Sequence, residues 1–254
     1  MKSGSVFCEV EECSGLAENV FSIWLKADRE ILAAAQPGRF LHILCPEGSL
    51  LRRPISICQT QGDMLRLVFE VKGEGTRWLS RRRRGDSLDI LGPLGSGFDL
   101  SGGPLLLAGG GIGAAPLLFC AQMKRCDAVL GFASGQKAVL LSEFASACDG
   151  AEFSSDDGSL GRRAYVTELL EERLRSGGYK GVLACGPEPM LRIAAGLCRD
   201  YSVPLQVSLE QRMGCGVGAC LVCSCRIVKD NREGYARVCR DGPVFRASEV
   251  VWDD

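Results

Sequence analysis

At about 150 residues per domain, a chain of 254 residues leaves room for one large domain or two to three small ones. With 46% hydrophobic and 24% charged residues it is too apolar for disorder, and its net charge of −1 gives no sign of a nucleic-acid surface. A single histidine, His42, offers little to His-based zinc sites or acid–base catalysis, whereas 32 glycines and 14 cysteines stand out.

Residues 1–101 read as β-structure. Met1 to Val10 (MKSGSVFCEV) carries one lysine and no apolar leader core, so a reducing cytoplasmic setting is expected. Six short apolar stretches follow, at Ser5–Val10, Val20–Leu25, Phe40–Cys45, Ile55–Cys58, Leu65–Val71 and Leu88–Leu91. Turn residues such as Pro37-Gly38, Gly62-Asp63 and Gly85-Asp86 separate them, which predicts a small antiparallel barrel. Within it, Gly73-Glu74-Gly75-Thr76 opens a short helix whose free N–H groups suit a diphosphate. Arg53 offers a forked cation to the same phosphates, and Arg53–Ser56 can lay backbone groups against a flavin ring. The run Arg81–Arg84 reads as a solvated helix end.

Residues 102–208 alternate strand and helix. Leu100–Met123 is uncharged and long enough for a membrane span, but its six glycines and two prolines fit a strand, a turn and a helix better. Apolar runs at Leu105–Ala108, Ala128–Phe132, Gly181–Cys185 and Leu205–Val207 bracket helical stretches at Thr167–Arg175 and Glu188–Cys198, which predicts a parallel sheet in an α/β domain. Gly109, Gly110, Gly111 and Gly113 form the turn after the first strand, and Cys185-Gly186 a second glycine corner. Both fall at carboxyl ends of parallel strands, where a dinucleotide pyrophosphate binds. Ser134 and Lys137, with no acidic residue, follow the second strand, so NAD and NADP both remain open.

Residues 209–254 show little hydrophobic periodicity and hold a distinctive pattern. Cys215, Cys220 and Cys223 are spaced C-x4-C-x2-C, with Cys239 after fifteen intervening residues, the plant-type [2Fe–2S] arrangement. Gly216 and Gly218 let the loop wrap a compact anion with its N–H groups pointing inward. Zinc is the alternative, but it usually takes paired C-x2-C knuckles; Cys225 reads as a packing thiol. Cysteines make up 14 of 254 residues, below the roughly 8–10% of a disulfide scaffold.

Barrel, nucleotide domain and cluster loop, in that order, resemble the ferredoxin-reductase superfamily. Within it the chain is most similar to electron-transfer subunits of class 1B dihydroorotate dehydrogenases. The resemblance rests on Arg53–Ser56, Gly75-Thr76, Gly92–Phe98, Gly109–Pro116, Cys185–Pro187, Ser208–Cys215 and Cys239–Phe245. It implies a multidomain fold: an FAD-binding barrel (1–101), an NAD-binding α/β domain (102–208) and a [2Fe–2S] domain (209–254). It also implies that Arg53, Pro54, Ile55, Ser56, Val68, Phe69, Glu70, Gly75 and Thr76 hold FAD, with Glu70 standing where the family often has a basic residue.

The implied function is an electron relay in pyrimidine (UMP) synthesis, from the FMN of a catalytic subunit through the cluster and FAD to NAD+. No residue of this chain reads as a base for dihydroorotate, so the substrate chemistry falls to the partner, in a two-plus-two heterotetramer without nucleic acid or membrane. A docking face is expected at the Cys-rich tail. A second reading is the FAD/[2Fe–2S] subunit of another NAD(P)H-linked reductase, ferredoxin:NADP or sulfide-linked. A third, a redox sensor, leaves the two glycine corners without a use.

Overall fold

A computed structural model describes residues 4–46 and 51–252, so the outermost residues of the first and last expected segments lie outside it. Alternating inward and outward side chains build six antiparallel strands: β1 (Val6–Ala17), β2 (Val20–Lys26), β3 (Phe40–Ile43), β4 (Arg53–Gln61), β5 (Met64–Glu70) and β6 (Ser87–Leu94). They close a barrel in the order β1-β2-β5-β4-β3-β6, with β6 paired back onto β1. Leu25, Leu41, Ile43, Ile55, Ile57, Leu65 and Leu67 fill it. Helix α1 (Arg29–Ala34) packs Ile31 against this core; the Asp28 carboxylate caps it, accepting from the Ile31 N–H at 2.9 Å. Helix α2 (Glu74–Leu79) follows β5.

The second half forms a mixed seven-stranded sheet in the order β10-β9-β8-β7-β11-β12-β15. Its parallel strands are β7 (Leu105–Gly110), β8 (Asp127–Phe132), β9 (Gly150–Ser155), β10 (Arg162–Arg163), β11 (Gly181–Cys185) and β12 (Leu205–Ser208). Helices α3 (Ala114–Met123) and α4 (Leu141–Ala147) cover one face, α5 (Val166–Ser176) and α6 (Glu188–Asp200) the other. Along β7, Leu105 and Leu107 join the first pair while Leu106 and Ala108 join the second. Helix α3 is wedged between the sheet and the barrel, eight of its ten residues buried, and Phe119 reaches the barrel's own core. Burial on all sides explains its uncharged sequence. No helix among the described residues is long and apolar enough to cross a membrane.

The last segment adds a hairpin, β13 (Ser224–Lys229) and β14 (Arg232–Arg237), and then β15 (Val244–Arg246), which lies antiparallel on β12. It shares its core with its neighbours: Met213, Cys223, Val238, Cys239 and Phe245 pack with Phe40 of β3 and Val207 of β12. Gly95 sits so close to this segment that a Cβ there would lie 2.6 Å from the Gly242 carbonyl. All fourteen cysteines are free thiols.

Candidate functional site

Strands β3 and β4 pair Phe40 with Ser56 and His42 with Pro54. Their alternation sends Leu41, Ile43, Ile55 and Ile57 into the barrel core and turns the four paired residues outward. A cavity of about 220 Å³ lies over this outer wall. The barrel lines it with Pro54, Ile55, Ser56, Val68, Phe69, Glu70 and Thr76, and the facing side with Gly113, Cys185 and Ser208–Gln211. The sequence-predicted flavin strands and one residue from each glycine corner are thus brought together.

Arg53 and Gly75 do not line this cavity. A Cβ on Gly75 would stand 2.6 Å from Arg53 Nε, so the guanidinium stem lies across that glycine, beside the start of α2. Thr76 Oγ1 accepts from the Lys72 and Gly73 N–H groups at 3.0 and 3.2 Å, which fixes the turn. Glu70 pairs with Lys72 at 3.2 Å, so a cation borders the cavity two residues beyond the position where one was expected. Arg52 is committed to the barrel, bonding the Asp89 carboxylate at 2.8 Å. In the basic run, Arg82 stacks over Trp78 and Arg84 pairs with Glu11.

A second cavity, of about 500 Å³, opens at the carboxyl ends of β7, β8 and β11. Gly110, Gly111, Lys137, Asp156 and Pro187 line it, and Glu70 and Ile112 line both cavities, which therefore adjoin. The two glycine corners press together. A Cβ on Gly113 would lie 2.3 Å from the Cys185 carbonyl, and one on Gly186 3.0 Å from the Gly110 nitrogen. Gly109 is a packing glycine, closed in by Leu130 and Leu117, and Gly186 lines neither cavity. Lys137 and Asp156 lie together in the larger cavity, so it offers a nucleotide both a cation and a carboxylate.

The loop after β12 carries three of the expected thiols, Cys215, Cys220 and Cys223, and the fourth, Cys239, follows β14. Among the described residues no three His, Cys, Asp or Glu side chains gather closely enough to hold one ion. The thiols instead stand as two neighbouring pairs. The Cys220 N–H donates to Cys215 Sγ, and the Cys239 N–H to Cys223 Sγ, each at 3.4 Å. Desolvation works against the Cys215 thiolate, but the N–H groups of Cys220, Val217 and Ala219 outweigh it and bring the thiol down to about 6. The Ala219 N–H donates to Cys215 Sγ at 3.2 Å. A cradle of N–H groups with two thiols on either side fits a two-iron cluster, which takes four cysteine thiolates. Arg237 ties the far end down, bonding both Asp241 oxygens at 2.9 and 3.0 Å and donating to the Gly218 carbonyl at 3.2 Å.

Gly216, at φ +74°, crosses over His42. That imidazole is fully buried, and burial together with the Arg52 charge lowers its pKa to about 4, so it is neutral. The sequence marks it as strand packing; its contact with a residue 174 positions later lies outside any local pattern. Ser208–Gln211 enters the site as cavity wall, and its one sequence signal is the family motif that contains it.

Residues 210–251 match the family profile described as the iron–sulfur cluster binding domain of dihydroorotate dehydrogenase B. The chain is 40% identical over 220 residues to the "Dihydroorotate dehydrogenase B (NAD(+)), electron transfer subunit" of Caldanaerobacter subterraneus subsp. tengcongensis, covering 85% of this chain and 87% of that one. It is 36% identical to the protein of the same name from Clostridium perfringens, covering 95% and 96%. Among solved structures, a chain from an NADH-dependent reduced ferredoxin-NADP oxidoreductase superimposes with a TM-score of 0.84 at 30% identity, covering 98% of this chain and 91% of that one.

Proposed function

The chain belongs to the family of electron transfer subunits of dihydroorotate dehydrogenase B (NAD(+)), and from that premise we propose a relay between the FMN of a catalytic partner and NAD+, by way of this chain's own [2Fe–2S] cluster and FAD, in pyrimidine synthesis. Bound FAD exchanges a hydride with a nicotinamide and single electrons with an iron–sulfur centre, the conversion that such a relay requires. The reading rests above all on one observation: Ser208–Gln211 walls the flavin cavity and, four residues on, the same backbone becomes the cysteine loop.

In this reading residues 1–101 carry FAD, 102–208 NAD and 209–254 the cluster. Pro54–Ser56 and Val68–Glu70 orient the flavin ring, while Arg53, Gly75 and Thr76 hold its diphosphate. Gly110, Gly111 and Gly113 give the dinucleotide close access to the backbone, with Gly109 packed behind them, and Cys185-Gly186 backs the meeting point of nicotinamide and flavin. Cys215 with Cys220, and Cys223 with Cys239, each hold one iron. Val217, Leu221 and Val222 are 48, 61 and 57% exposed around the exposed Cys220, an apolar rim suited to docking the catalytic subunit. The assembly is a cytoplasmic heterotetramer of two copies of each subunit.

Co-expression with a candidate catalytic subunit tests this. Dihydroorotate-dependent reduction of NAD+ should require both polypeptides, and the two should co-purify with FAD, FMN and iron. A chain that purifies alone and passes electrons from NADPH to ferredoxin would overturn the partner assignment and favour a stand-alone reductase.

A further inference from the structure

His42 is the single histidine of the chain. It is fully buried, and among the described residues neither ring nitrogen has a hydrogen-bond partner. Buried polar groups are seldom left so, and one that is calls for a physical reason. The reason lies on the side of the ring that faces away from the barrel. A Cβ on Gly216 would stand 2.5 Å from Nδ1, so the Nδ1 edge of the ring meets the loop directly, with no side chain between. Gly216 adjoins Cys215 and lies in the span between Cys215 and Cys220, the first of the two thiol pairs.

Resting on the reading of that loop as a cluster site, we propose that His42 is a positioning residue whose ring N–H donates to a sulfur of the iron–sulfur centre. A neutral imidazole has one N–H to give, and sulfur made more negative by an added electron accepts it more strongly. The bond therefore raises the reduction potential of the centre and seats the loop on the barrel. On its other flank the ring meets Phe40 edge-to-face, centroids 6.4 Å apart, and Phe40 lines the flavin cavity. His42 thus stands between the flavin wall and the loop.

A lone histidine makes the test specific. The untagged full-length chain, labelled with ¹⁵N-histidine and assembled with unlabelled partner, is reduced and examined by pulsed EPR. Weak ¹⁵N coupling to the cluster is expected. His42→Phe should abolish the coupling and move the cluster potential to a more negative value with iron content unchanged. His42→Asn, whose amide nitrogen takes the place of Nδ1, should stay close to the parent potential. Absence of ¹⁵N coupling in the labelled parent protein overturns the proposal, as does an unshifted potential in an iron-replete His42→Phe protein. The labelled parent measurement decides the question alone if that variant does not fold. A reduced chain with no iron–sulfur signal at all fails at the earlier step and removes the cluster reading itself.

Discussion

Cys220 is the exposed member of the four thiols, while Cys223 and Cys239 are buried in the shared core. Replacing it tests ligation with little disturbance of packing. Cys220→Ser should lose the reduced-cluster EPR signal, keep stoichiometric FAD by absorbance, and lower electron transfer to the partner by roughly a hundredfold, about 2.7 kcal/mol of added barrier. Gly113 is the second test. Its Cβ would strike the Cys185 carbonyl, a backbone group that cannot swing aside, so Gly113→Ala should destabilise the fold by about 2 kcal/mol and weaken NAD(H) binding. Thermal melts and nucleotide titration would check both effects; unchanged values would mean that the corners move apart freely. Cysteine spacing was legible at this scale because ligand geometry dictates it. The role of Lys72 beside Glu70 was not, because it depends on which way two side chains lean at a cavity rim.

Between elements, side chains that imitate backbone do much of the joining. Gln206 of β12 donates to the Asp99 carbonyl at 2.8 Å and accepts from the Asp99 N–H at 2.9 Å, holding the segment after β6 to the sheet. Gln206→Ala should cost about 1–2 kcal/mol, read from the urea midpoint at constant slope. Tyr179, ahead of β11, donates to the Asp127 carboxylate of β8 at 2.5 Å, and burial together with that bond pushes the phenol up to about 12. The folded chain therefore holds this proton more tightly than the unfolded chain does. Its stabilisation is complete below pH 10 and fades as pH climbs from 10 towards 12, and Tyr179→Phe should flatten that part of the stability profile. Strands with strong alternation or full burial (β2, β5, β7, β11) were readable in the sequence. Those without it were not: β9 is GAEFSS, β15 has three residues, and much of the β13–β14 hairpin faces solvent, so their pairing is settled by neighbours distant in sequence.

For the whole molecule, the proposed docking surface is the apolar rim that Val217, Leu221 and Val222 form around Cys220. Leu221→Asp should weaken association with the catalytic subunit by about tenfold or more, roughly 1.4 kcal/mol, and leave FAD and iron content intact; sedimentation at graded concentration would measure it. The order of segments was legible because each has its own periodicity, whereas their interlocking was not, since Gly95 against Gly242 and β15 against β12 join residues far apart in the chain. That last pairing has a consequence of its own. With β12 and β15 side by side on one sheet, everything from Leu209 to Pro243 is a flap hinged at both ends on a common edge. Such a flap can fray and re-form while the remainder stays folded, so iron starvation should leave a protease-sensitive window confined to those residues, and metallation should shut it.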